Sequence, residues 1–201
     1  MKVTLLDYGA GNVTSVVRAL QRLGADPQRS DSAEYIASAQ AIILPGVGHY
    51  AALIRALDER ALRAPLLDAI WRGIPFLGVC LGLQALYETS EEAPQLSGLH
   101  LLPGSVRFLP SSVKLPHMGW NQLKLTRTSR LLAGISADAY FYFAHSFAAT
   151  SPNGEAVAIC NHGADFTAVI ETQNIFAVQF HPEKSGDAGA QLLQNFLRLA
   201  A

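Results

Sequence analysis

The chain has 201 residues, half of them hydrophobic and 15% charged, and a formal net charge of −1 at pH 7. That balance excludes a disordered chain and leaves no electrostatic footprint for nucleic acid or an anionic membrane. Two cysteines are too few for a disulfide scaffold, and no apolar run approaches the ~20 residues that span a bilayer.

The length fits a single domain over 1–201 with a substantial core. Residues 3–7 read as a short apolar strand ending in the glycine turn Gly9-Ala10-Gly11-Asn12, and Asp7 comes too soon for a secretory signal. A helix follows, with Val16, Val17, Leu20 and Leu23 on one face and Gly24 as its stop. The apolar strand 41–44 runs into Pro45-Gly46-Val47-Gly48; helical patterns cover 50–57 and 64–71; 75–79 is the next buried strand and 81–87 the helix after it. Fully apolar strands alternating with helices indicate a parallel sheet covered on both faces. After residue 105 the rhythm changes. Strand patterns at 106–108, 121–125, 139–143, 156–160, 166–171 and 176–180 are joined by short turns, and an amphipathic helix over 188–199 closes the chain. The expected fold is α/β: a flavodoxin-like parallel sheet flanked by helices, with antiparallel strands added in the second half.

The chemistry concentrates at Gly78-Val79-Cys80-Leu81-Gly82-Leu83-Gln84. A cysteine between glycines, where a strand turns into a helix, is the thiol counterpart of a nucleophile elbow. Glycines permit the strained turn, and a helix opening at Leu81 aims N–H groups at the sulfur, favouring thiolate. His181 is the candidate base, with Glu183 placed to orient its ring. Sites in open α/β sheets form at the carboxyl ends of strands, where Cys80 and the loop from Pro45 to Gly48 both fall. A reactive cysteine suits a reducing compartment, and the cytoplasm is expected.

G-x-C-x-G-x-Q followed by His181-Pro182-Glu183 resembles the class I glutamine amidotransferases, whose Cys–His–Glu triad hydrolyses glutamine to glutamate and ammonia. Asp7-Tyr8-Gly9-Ala10-Gly11-Asn12, Pro116-His117-Met118-Gly119-Trp120-Asn121 and Gln179 to Gly186 resemble, more narrowly, the glutaminase subunits of imidazole glycerol phosphate synthases. The resemblance runs from Lys2 almost to Ala201. It implies an oxyanion hole from the N–H groups of Val47 and Leu81, and glutamine contacts at Gly46, Gly48, Gln84, Ser146 and Phe147. Members of the family usually carry tyrosine where this chain has Phe147, so a phenolic contact is lost there while backbone contacts are kept. The implied partner is a cyclase subunit, a (β/α)8 barrel that receives ammonia and forms imidazole glycerol phosphate and an aminoimidazole carboxamide ribotide. No cofactor is implied.

Met118, Trp120 and Asn121 lie outside the core alternation and read as a partner interface; a Trp beside Gly and Asn typifies an interface anchor. The histidines form no metal-ligand spacing, so a metal is not expected. Gly9-Ala10-Gly11 lacks the later glycine and acidic residue of a dinucleotide loop. A glutaminase of another synthase, a cysteine peptidase or thiol-stress hydrolase on a similar fold, and a non-catalytic binding module remain as alternatives.

Overall fold

The computed structural model describes residues 2–9, 13–150 and 154–201; Ala10, Gly11 and Asn12 of the glycine turn lie outside the described residues. The first half alternates strand and helix: β1 (Lys2–Leu6), α1 (Val13–Arg22), β2 (Asp26–Ser30), α2 (Ala33–Ala37), β3 (Ile42–Gly46), α3 (Tyr50–Glu59), α4 (Arg63–Trp71), β4 (Phe76–Cys80) and α5 (Leu81–Gln84). The second half carries β5 (Thr89–Ser90), β6 (Ser105–Phe108), β7 (His117–Gln122), β8 (Lys124–Leu125), β9 (Tyr140–His145) and β10 (Phe147–Ala149). It closes with β11 (Ala156–Asn161), β12 (Asp165–Thr172), β13 (Ile175–Val178) and α6 (Gly186–Leu199).

The main sheet runs β2-β1-β3-β4-β13-β12-β11-β8. Its first five strands are parallel, in the flavodoxin-like order, and β12, β11 and β8 extend them antiparallel. Successive side chains of a strand face opposite ways, so each buried strand feeds two cores. Ile42, Leu44 and Phe76 pack under α2, α3 and α4 with Ile36, Leu53, Leu57, Leu66 and Ile70. Ile43, Leu77 and Val79 pack under α1 and α6 with Val16, Leu20, Leu192 and Phe196.

Three expectations need correction. Helix 81–87 stops at Gln84, because the carbonyls of Ala85 and Leu86 are taken by the N–H groups of Leu99, Leu101 and Leu102 instead of by a further helical turn. The expected strand 121–125 divides: β7 pairs with β9 in a separate ribbon, while β8 joins the main sheet beside β11. The expected strand 176–180 ends at Val178, so Gln179, Phe180 and His181 are loop residues beyond the sheet edge.

Candidate active site

Parallel pairing brings the site together. Gly46 stands opposite Cys80 in the β3–β4 ladder and Val178 opposite Val79 in the β13–β4 ladder. The loops holding Val47, Cys80 and His181 therefore leave the sheet at one edge. The elbow is tight: a Cβ on Gly82 would lie 2.0 Å from the Leu44 carbonyl oxygen, and one on Gly78 2.6 Å from the Gly82 oxygen. That closeness holds Cys80 at φ 56°, ψ −104°, a strained backbone for a residue with a side chain.

The His181 ring lies beside Cys80, and its Nδ1 lies 3.0 Å from Glu183 Oε1. Both side chains are almost wholly buried. Its loop is stitched to β9: His181 N–H donates to the Tyr142 carbonyl, and Ser185 Oγ bridges the His181 carbonyl and the Tyr142 N–H. Burial works against a charged ring, but the hydrogen bonds and negative charge of Cys80 and Glu183 outweigh it and raise the His181 pKa to about 10. Gln179 Nε2 donates to Cys80 Sγ at 3.6 Å. The second cysteine is different: Cys160 is buried away from the cavity and its thiol is pushed up to about 12 by burial.

A cavity of about 270 Å³ opens over the sulfur, suited to a ligand smaller than a drug-sized molecule. Of the expected residues, Val47, Gly48, Cys80, Leu81, Gln84, Ser146, Phe147 and His181 line it. Gly46 does not; it ends β3 beneath the loop, where a Cβ would press to 2.4 Å from Leu81 Cβ. Glu183 stands behind His181. Burial pushes the Tyr8 phenol up to about 12, and the Val47 N–H lies beside its oxygen, which closes no hydrogen bond of ordinary geometry among the described residues.

Four other lining residues were not among the expected site residues: Ala144 and His145, next to Ser146, and the charged Glu92 and Lys184. Glu92 sits at the mouth, where its Oε2 takes the N–H of Tyr50, and Lys184 stands over the Tyr142 ring. Glu92 belongs to no motif, whereas Lys184 falls within the stretch 179–186 and follows Glu183 directly, which was the one available signal.

On the β7–β9 ribbon, alternation turns Met118 and Trp120 to one face, 65% and 55% exposed beside Tyr140 at 53%. Trp120 meets Tyr142 edge to face at 5.9 Å between ring centroids. Asn121 points the other way, toward His117 and the Asn161 carbonyl. Among the described residues no cluster of His, Cys, Asp and Glu could hold a metal ion, and no helix is long and apolar enough to cross a membrane.

The profile for "Glutamine amidotransferase class-I" matches residues 4–200. The chain belongs to the class-I glutamine amidotransferase family. Among curated amidotransferase relatives, "Imidazole glycerol phosphate synthase subunit HisH" of Methanothermobacter thermautotrophicus is 45% identical over 197 residues, 98% of each chain. The protein of the same description from Moorella thermoacetica is 44% identical over 195 residues, 96% of this chain and 93% of that one. A solved structure described as "Crystal structure of glutamine amidotransferase" superposes with a TM-score of 0.78 at 20% identity, covering 98% of both chains. "Structure of PurLQS from Thermotoga maritima" gives 0.76 at 20% identity over 100% of this chain and 99% of that one. At such identities these two likenesses establish the amidotransferase fold alone.

Proposed function

We propose that the chain is the glutaminase subunit of an imidazole glycerol phosphate synthase, hydrolysing L-glutamine and passing the ammonia to a cyclase subunit in histidine biosynthesis. The observation that carries the chemistry is Cys80, strained at the elbow, beside a His181 that Glu183 holds. Likeness to synthase subunits over 98% of the chain favours this synthase over others using the same family.

Cys80 Sγ attacks the carboxamide carbon of glutamine, and the oxygen becomes an oxyanion. The Leu81 N–H, unpaired within its helix as first-turn groups are, is one donor. The Val47 N–H, once its peptide has rotated from Tyr8 toward the cavity, is the other. His181 gives its Nε2 proton to the leaving nitrogen, the C–N bond breaks, and ammonia departs from a thioester. Water then attacks with His181 as base, the C–S bond breaks, and glutamate leaves as Cys80 is restored. Glu183 accepts from His181 Nδ1 throughout, holding the tautomer and stabilising the imidazolium.

Gly46 and Gly48 shape the loop, Gln84 and the backbone of Ser146 and Phe147 hold the substrate, and Phe147 offers no phenol. Glu92 and Lys184 supply opposite charges at the mouth, matching the α-ammonium and α-carboxylate of an amino acid. Met118 and Trp120, with Asn121 behind them, form the face for the cyclase, a (β/α)8 barrel. No cofactor takes part, the chain works as one domain, and the cytoplasm is its compartment.

The test is reconstitution with the cyclase subunit. The complex should release glutamate from glutamine and form imidazole glycerol phosphate. The Cys80→Ala complex should fail with glutamine and recover with ammonium salt, increasingly as pH rises and more ammonia is neutral. An assembled complex that ammonium never rescues would mean that this chain takes part in the second reaction, which would refute the two-site reading.

A further inference from the structure

Three histidines without a part in that chemistry gather under the β7–β9 ribbon. His117 is sandwiched between Phe143 and His162, with centroids at 4.8 and 4.1 Å, and His145 lies edge-on to Phe166 at 4.9 Å. His117 and His145 are 5% and 6% exposed. His162 contacts the Lys114 carbonyl through Nε2 at 2.8 Å, so that nitrogen donates.

The Phe147 carbonyl decides every other proton in the cluster. A carbonyl only accepts, so His145 Nδ1 at 2.9 Å and Gln84 Nε2 at 2.8 Å must both donate to it. His145 Nε2 is then a lone pair, and His117 Nδ1, 3.1 Å away, must be its donor. That leaves His117 Nε2 to accept from Asn121 Nδ2 at 3.3 Å, which also donates to the Asn161 carbonyl at 3.0 Å. In the other direction, Gln84 Nε2 gives its second hydrogen to Gln179 Oε1 at 3.1 Å, and Gln179 Nε2 faces Cys80 Sγ. One acceptor remains: Gln84 Oε1, buried and without a partner among the described residues, on a side chain that lines the cavity.

We propose that His117 and His145 are positioning residues for glutamine: through the Phe147 carbonyl they fix the direction in which Gln84 presents its unpaired oxygen to an N–H group of the substrate. This rests on the glutaminase reading above and adds a chain of contacts running from Asn121, on the strand carrying Trp120, to the substrate pocket. Burial lowers the pKa of His117 to about 4 and of His145 to about 3, so both rings are neutral at pH 7, as the donor assignment requires. Without the His117 donor, the buried Nε2 lone pair of His145 is left unpaired, a cost the ring relieves by turning and loosening its bond to the Phe147 carbonyl. Gln84 would then lose its reference.

The test uses the complete complex with the cyclase. His117→Phe keeps the ring stack and removes the donor. It should raise the KM for glutamine ~10-fold, the scale of one mispaired hydrogen bond, with kcat within ~3-fold and the ammonium-dependent rate unchanged. His117→Asn, whose Nδ2 stands near the position of Nδ1, should bring KM back to within ~3-fold of the parent. An unchanged KM in His117→Phe, or no recovery in His117→Asn, would overturn the proposal in favour of packing alone. Should the variants fail to fold, long-range proton–nitrogen spectra of the parent protein decide: both rings must show the Nδ1–H tautomer, and Nε2–H on either refutes the assignment. A parent complex with no glutaminase activity would overturn both readings, whereas an active parent with an indifferent His117→Phe overturns this one alone.

Discussion

Gly46 and Cys80 face each other at the ends of adjacent parallel strands. The loop that carries Val47 and the turn that carries the nucleophile thus start from the same level of the sheet. A small rotation of the Val47 peptide changes what its N–H points at without moving Cys80. In the structure that N–H lies beside the Tyr8 oxygen.

Glutamate release should accordingly be slow for the isolated chain. It should rise at least ~100-fold with the cyclase and its ligand present, the scale of gaining one oxyanion donor. Steady-state rates with and without partner check this. Equal rates would remove Val47 from any switch.

The two cysteines should behave oppositely. Cys80→Ser should lose glutamine turnover by ~10³-fold or more, since a serine hydroxyl gives no comparable anion. Cys160→Ser should leave kcat within ~3-fold, because that thiol is far from the cavity and pushed up to about 12. A glutamine-analogue alkylator should label Cys80 alone by peptide mapping; label on Cys160 would contradict the assignment.

Trp120 is over half exposed and packs on Tyr142. As an interface anchor, Trp120→Ala should weaken binding to the cyclase by ~2 kcal/mol or more, with the melting temperature of the isolated chain little changed. Titration calorimetry showing unaltered affinity would return this face to ordinary surface.

Stability should fall on both sides of neutrality. The folded pKa values of His117 and His145, about 4 and about 3, lie below the unfolded value near 6.5. The unfolded chain therefore takes up protons first, and stability drops as pH falls from about 6.5 toward 4. His181 has the opposite sign. Its folded pKa of about 10 gives stability that is complete below about 6.5 and lost as pH rises toward 10. Urea midpoints at pH 5 and pH 9 should both lie below that at pH 7; a midpoint at pH 5 equal to or above that at pH 7 would refute the buried-neutral histidines.

Legibility in the sequence followed physical constraint. The elbow was readable because a side chain at 78 or 82 would collide with backbone, so the chemistry leaves a glycine mark. The parallel core was readable because strands buried on both faces are continuously apolar. β2 was not. Asp26-Pro27-Gln28-Arg29-Ser30 has no apolar alternation and is a strand only because it pairs with β1 at the sheet edge, where Pro27 is tolerated. The histidine cluster was equally hidden, since His117, His145 and His162 meet only after β7 has paired with β9 and packed against the loop at 162.

Cys80 and His181 belong to segments about a hundred residues apart, joined where β13 slots in beside β4. Ser185 then ties the histidine loop to Tyr142 of the β7–β9 ribbon, while Cys80 ends a strand of the main sheet. The nucleophile is thus anchored in one sheet and its base is tethered to another, so the way the two sheets pack sets the gap across which the proton moves.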